Sequence, residues 1–188
     1  IGEELAKEEI VERGSQDWSV VPVPETSYVA GCKYAQEMNI PFAAGLLKNH
    51  SVGRTFIDNT NRKHNISLKF THLREALRGK KVILVDDSIV RGTTMRTLVR
   101  NLKEWSGVKE VHIRIGCPPI TSPCFYGIDF PTIKELYAGN STPDPSDFGA
   151  DSLYYLSLNG LLSALDKERE ELCAACITST YPSLEGSR

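Results

Sequence analysis

Two adjacent carboxylates at the end of an apolar run are the residues of this 188-residue chain best suited to chemistry: Val82-Ile83-Leu84-Val85-Asp86-Asp87-Ser88-Ile89-Val90-Arg91-Gly92-Thr93-Thr94. The apolar run predicts a strand, and the Gly and Thr residues predict a short turn into a helix. Backbone N–H groups in such a loop and in the first helical turn have no internal partners, so they can bind an anion. Thr93 and Thr94 add hydroxyl donors, and Gly92 lets the backbone approach a ligand closely. Carboxylates touching a phosphate would repel it. They suit sugar hydroxyls, or a divalent cation that neutralises the charge. Asp-Asp alone would serve as well as a helix cap and solvated turn. The thirteen-residue pattern points instead to a cradle for a sugar phosphate.

Other reactive residues give weaker signals. Thr26, in Val23-Pro24-Glu25-Thr26-Ser27, suits a helix N-cap, and a helix start is also an anion site. Cys173-Ala174-Ala175-Cys176 is a CxxC that by itself fits metal binding, redox work or neither. Cys32 and Cys117 suit small apolar packing. His50, His64, His72 and His112 show no metal-ligand spacing.

Composition excludes several classes. Net charge is −2, which argues against a broad nucleic-acid surface. No apolar run approaches the roughly 20 residues of a membrane span. Five cysteines, an odd number without a secretory signal, point to reduced thiols and a cytoplasmic location rather than a disulfide framework. The first residue is Ile1, so an upstream segment is one expectation.

Elements must hold the acid pair in place. The apolar patterns predict strands over 18–24, 42–47, 81–86, 110–116 and 152–158. They predict helices over 27–38, 71–78, 92–105, 131–138 and 159–168, with a weaker helical stripe in 3–13 through Leu5, Ala6 and Ile10. Residues 48–65 are polar with little periodicity, the signature of a functional lid or a disordered stretch. Residues 141–148 read as a loop and 177–188 as a loose tail. Strands alternating with helices predict an α/β fold: a parallel sheet with helices on both faces and ligands at the carboxyl ends of its strands.

The central stretch resembles the phosphoribosyl pyrophosphate (PRPP) loop of type I phosphoribosyltransferases, and VDDSIVRGTT resembles the version found in amidophosphoribosyltransferases. Lys48-Asn49-His50 with Gly53-Arg54-Thr55-Phe56-Ile57, and Pro123-Cys124-Phe125-Tyr126-Gly127-Ile128-Asp129, extend the resemblance from about Gly2 to Pro182. It implies a phosphoribosyltransferase core over 1–130 with a flexible lid over about 48–65, followed by a small C-terminal cap over 131–188. The family's glutaminase domain is absent from this sequence, which implies either a fragment or a separate partner chain.

By resemblance, Asp86 and Asp87 contact the ribose hydroxyls beside Mg2+. Ser88, Ile89, Val90, Arg91, Gly92, Thr93 and Thr94 wrap the 5′-phosphate. Glu25, Thr26, Ser27 and Lys48 also contact PRPP, with Thr26 near metal and pyrophosphate. Arg54 is the expected catalytic lid cation, with Arg62, Lys63 and Lys69 as further lid cations. Between Asp58 and Asn65 the sequence departs from the family's usual Pro, Gln and arginines. Cys124, Cys173 and Cys176 match three of the four ligands of a [4Fe–4S] cluster found in part of the family; the fourth would lie upstream. The implied reaction transfers the phosphoribosyl group from PRPP to ammonia, drawn from glutamine in a complete enzyme, as the first committed step of purine synthesis. A homo-oligomer is also implied. A nucleobase phosphoribosyltransferase and a non-catalytic PRPP sensor are the alternatives.

Overall fold

A computed structural model of the chain describes residues 1–11, 13, 14, 16–49, 69–130 and 132–182. In chain order its elements are helix α1 (Gly2–Lys7), strand β1 (Trp18–Pro22), α2 (Tyr28–Met38), β2 (Leu46–Lys48), β3 (Phe70–His72) and α3 (Arg74–Leu77). Then come β4 (Lys81–Asp86), α4 (Thr93–Glu104), β5 (Glu110–Ile115), α5 (Tyr137–Asn140), β6 (Ser152–Tyr155), α6 (Leu158–Leu165) and α7 (Ala175–Thr178).

Four strands form a parallel sheet in the order β1-β4-β5-β6. The continuous apolar run of β4 is explained by cover on both faces. Val82 and Leu84 point into a core with Met95, Leu98, Val99 and Leu102 of α4. The alternate residues Ile83 and Val85 point into a second core with Leu5 and Ala6 of α1 and Tyr34, Ala35 and Met38 of α2. The α/β expectation, helices on both faces included, is met. Strand β6, from beyond residue 130, pairs with β5 from His112↔Ser152 to Ile115↔Tyr155.

Three local expectations are corrected. The strand expected over 42–47 reduces to a single bridge from Phe42 to Val20, and the paired strand starts only at Leu46. The helix expected over 71–78 starts at Arg74, because Phe70–His72 pairs antiparallel with Leu46–Lys48. Cross-strand pairing there overrides a weak helical preference. Helix α1 stops at Lys7 and leaves Ile10 82% exposed, because the next two residues make tertiary contacts. Glu8 accepts hydrogen bonds from the Ser157 N–H at 2.9 Å and from its hydroxyl at 2.5 Å. Glu9 forms a buried ion pair with Arg114 of β5, and the Tyr34 hydroxyl donates to the same carboxylate.

Candidate active site

Parallel pairing places the end of β4 at the carboxyl edge of the sheet. Asp86, its last residue, lies opposite Ile115 of β5, and its carbonyl accepts from the Gly116 N–H at 2.8 Å. The ladder ends there, and residues 87–92 cross to α4 with no regular secondary structure. Gly92 makes the turn into α4 at φ +74°, a backbone conformation that side-chain-bearing residues rarely adopt. Among the described residues, no backbone N–H from Ser88 to Thr94 donates to a protein acceptor. The loop and first helical turn therefore present a run of open donors.

The acid pair is held by hydroxyls. Thr26 Oγ1 donates to Asp87 Oδ1 at 2.6 Å, Ser27 Oγ to Asp86 Oδ1 at 3.1 Å and Ser88 Oγ to Asp87 Oδ2 at 3.2 Å. The Asp87 N–H donates to Asp86 Oδ1 at 3.0 Å. Burial pushes the Asp86 carboxyl up, and the neighbouring Asp87 charge adds to it, reaching about 8 against the opposing hydrogen bonds from the Asp87 N–H and Ser27. Among the described residues no salt bridge reaches either aspartate. Two adjacent hard-oxygen carboxylates without a cationic partner are a donor set that fits Mg2+, with the Thr26 hydroxyl beside them.

A cavity of about 450 Å3 opens over this edge. It is lined by Thr26, Lys69, Asp86, Asp87, Ser88, Ile89, Val90, Arg91, Gly92, Thr93 and Thr94, residues that the sequence pointed to. Ser27 is buried behind the cavity and reaches the site only through Asp86. Lys48 and Glu25 lie outside the lining and pair with each other, Nζ to Oε2, at 2.8 Å. Arg91 lines the cavity, yet its guanidinium turns away to Glu135, with Nε 2.9 Å from Oε2. Arg54, like His50, Arg62 and Lys63, lies outside the described residues. Sequence reading missed Val23, Pro24, Phe70 and Met95 as lining. Only the position of Phe70 beside Lys69, at the far end of the polar stretch, hinted at one of them.

The cysteines form a second neighbourhood. Cys124 and Cys176 pack against the apolar cluster of Ile120, Phe130 and Leu136. The Cys176 carbonyl accepts from the Thr121 and Ser122 N–H groups at 2.9 and 3.0 Å. Burial raises the Cys176 thiol, helped by the nearby Cys124 and Cys173. Cys173 is exposed, and all five cysteines are free. Among the described residues, no group of three or more His, Cys, Asp or Glu side chains is arranged to hold a metal ion. The predicted three-cysteine set is thus near one place but not gathered as a ligand set, and it is one thiolate short of a four-thiolate cluster. Cys117 packs against the main apolar core, as expected, and burial first, then the charges of Asp87, Cys176 and Asp86, push its thiol up to about 12.

Fold and site together define an α/β protein with an acid pair and a loop of open backbone donors at the carboxyl ends of parallel strands. The chain belongs to the phosphoribosyl transferase domain family, whose description matches residues 1–117. It is 47% identical over 186 residues to the amidophosphoribosyltransferase of Methanocaldococcus jannaschii, a match covering 97% of this chain and 38% of that protein. Against the amidophosphoribosyltransferase of Mycobacterium tuberculosis it is 46% identical over 192 residues, covering 97% and 35%. The solved structure of glutamine PRPP amidotransferase from B. subtilis, complexed with ADP and GMP, superposes with a TM-score of 0.82 at 42% identity, covering 96% of this chain and 40% of that one. The chain therefore spans two fifths or less of the length of these relatives.

Proposed function

We propose that this chain binds PRPP with Mg2+ and transfers its phosphoribosyl group to ammonia, giving 5-phosphoribosylamine and pyrophosphate. The observation that carries this reading is the Asp86–Asp87 pair, without a cationic partner among the described residues, beside a loop of open backbone donors in one cavity. The loop 88–94 takes the 5′-phosphate through its N–H groups and the Thr93 and Thr94 hydroxyls. Asp86 and Asp87 take the ribose hydroxyls, with Thr26, Ser27 and Ser88 fixing their carboxylates. The names of the relatives, amidophosphoribosyltransferases, support nitrogen as the acceptor.

The N–C1 bond forms as the bond from C1 to the pyrophosphate oxygen breaks, and the bound ammonia releases a proton. Positive charge grows on the ribose ring, and the two carboxylates are placed to stabilise it. Mg2+ at Asp86, Asp87 and Thr26 would supply charge neutralisation for the leaving pyrophosphate. Lys48, outside the cavity lining and paired with Glu25 at 2.8 Å, is a second cation of this reading. Arg54 is the lid cation of this reading. No step runs through the cysteines; a [4Fe–4S] cluster would need a thiolate from another segment.

Ammonia would come from a glutaminase in the same longer chain or a partner, in a homo-oligomer. We place the protein in the cytoplasm on its five free thiols. Among the described residues, no helix is long and apolar enough to cross a membrane. The test is pyrophosphate release from PRPP and Mg2+ with ammonia, compared with adenine, hypoxanthine and uracil as acceptors. Release with ammonia alone is expected. Release with a nucleobase, or with no nucleophile offered, contradicts the reading.

A further inference from the structure

We infer that Glu135 is a positioning residue for the phosphate loop, acting through Arg91 to fix the loop's backbone donors. The inference rests on the reading that residues 88–94 take the 5′-phosphate. Residues 88–92 of that loop have no strand or helix to hold their path between β4 and α4. Its open N–H groups bind an oxyanion only while they converge, so something outside the loop must set their direction.

The segment from Thr132 to Phe148 supplies most of those ties. Arg91 donates from Nε and from Nη2 to the same Glu135 oxygen, Oε2. The other Glu135 oxygen accepts from Thr132 Oγ1 at 2.9 Å, which orients the carboxylate. One residue away, the Val90 carbonyl accepts from the Tyr137 N–H at 2.8 Å, and the Val90 side chain packs on Ile120, Phe130 and Leu136. At the end of the loop, a Cβ on Gly92 would lie 3.1 Å from Phe148 Cε1. Arg96 Nε donates to the Asp147 carbonyl at 3.1 Å, so the same segment also meets the first turn of α4.

Arg91 is the centre of this brace. A guanidinium aimed at the cavity would be a phosphate ligand; here a carboxylate holds it from behind, while its backbone stays in the cradle. An exposed surface ion pair of this type would contribute little. This pair is partly buried, with 28% and 35% side-chain exposure, and is charge-assisted from two nitrogens. Its effect falls on the loop's geometry.

The experiment uses the full-length protein that carries this chain, unaltered and with Glu135→Ala and Glu135→Gln. Ribose 5-phosphate binding, pyrophosphate binding and the KM and kcat for PRPP are measured with Mg2+. Glu135→Ala is expected to weaken ribose 5-phosphate binding and raise KM for PRPP about tenfold, with kcat within about twofold and pyrophosphate binding unchanged. Glu135→Gln, which keeps an acceptor for Arg91, should fall between; it carries the test if the alanine variant does not fold. Unchanged ribose 5-phosphate affinity in both single variants overturns the inference. So does loss confined to kcat, the mark of a smaller folded fraction. If the unaltered protein itself does not bind ribose 5-phosphate, the phosphate-loop reading fails, and the inference with it.

Discussion

Asp86 and Glu9 are carboxylates with opposite company. Asp86 sits at the carboxyl edge of the sheet beside a second carboxylate, and the Ser27 hydroxyl and the Asp87 N–H donate to it. Glu9 lies under the sheet with a side chain 1% exposed and faces Arg114, equally buried, and the Tyr34 hydroxyl. Burial raises both groups. At Asp86 the neighbouring charge adds to the rise, to about 8. At Glu9 the hydrogen bonds and charge of Arg114, with help from Tyr34 and the Val11 N–H, reverse it and lower the carboxyl to about 2. A charge matched within the fold contributes to holding the fold together. One left unmatched at a cavity is free to be matched by a ligand or a cation.

That contrast can be broken by substitution. Asp87→Asn is expected to lower PRPP turnover by a hundredfold or more, about the loss found when a preorganised electrostatic partner is removed. Its unfolding free energy should stay within about 1 kcal/mol of the unaltered protein, since no counter-charge is orphaned and the hydroxyl that loses its acceptor sits in an exposed pair that water can complete. Near-normal turnover would remove the acid pair from the chemistry. Glu9→Gln should do the reverse. It leaves Arg114 buried without its counter-charge, which costs about 3–5 kcal/mol in denaturant unfolding, while kcat per folded molecule is retained. A loss of turnover without loss of stability would put Glu9 on the wrong side of the comparison.

The sign of the pH dependence follows from Glu9. Its carboxyl is lowered from 4.5, so its contribution is fully present above that value and is lost as pH falls toward about 2. The unaltered protein should lose roughly 3 kcal/mol over that interval through this group, and Glu9→Gln should flatten that part of the acid-unfolding curve.

Gly92→Ala sharpens the comparison at smaller amplitude. The residue has φ +74° and its added methyl would meet Phe148 and Arg96. A loss of about 1–2 kcal/mol in stability is expected, with a raised KM for PRPP. A silent variant would mean that the turn has slack.

The two regions also differ in how far they were legible in the sequence. The acid pair and its loop are contiguous, so strand, turn and helix signals all fell within thirteen residues and predicted β4 and α4 closely. The Glu9–Arg114 pair joins positions 105 residues apart. Glu9 sat in a charged run and Arg114 in an apolar strand, and no local pattern connects them. Separation in sequence also hid Glu135, 44 residues from Arg91, and the role of Phe70, whose strand is set by pairing with Lys48 rather than by its neighbours. Ser27 was legible as part of a motif, but not as a buried residue acting through Asp86.

The most direct test of the account is a calorimetric titration of PRPP into the full-length protein that carries this chain, with and without Mg2+, repeated with Asp86→Asn and Asp87→Asn. The account predicts saturable binding that needs the cation and is lost or greatly weakened in both variants, while their folded spectra are unchanged. Binding of equal strength in the variants, or no binding by the folded unaltered protein with Mg2+, would contradict it.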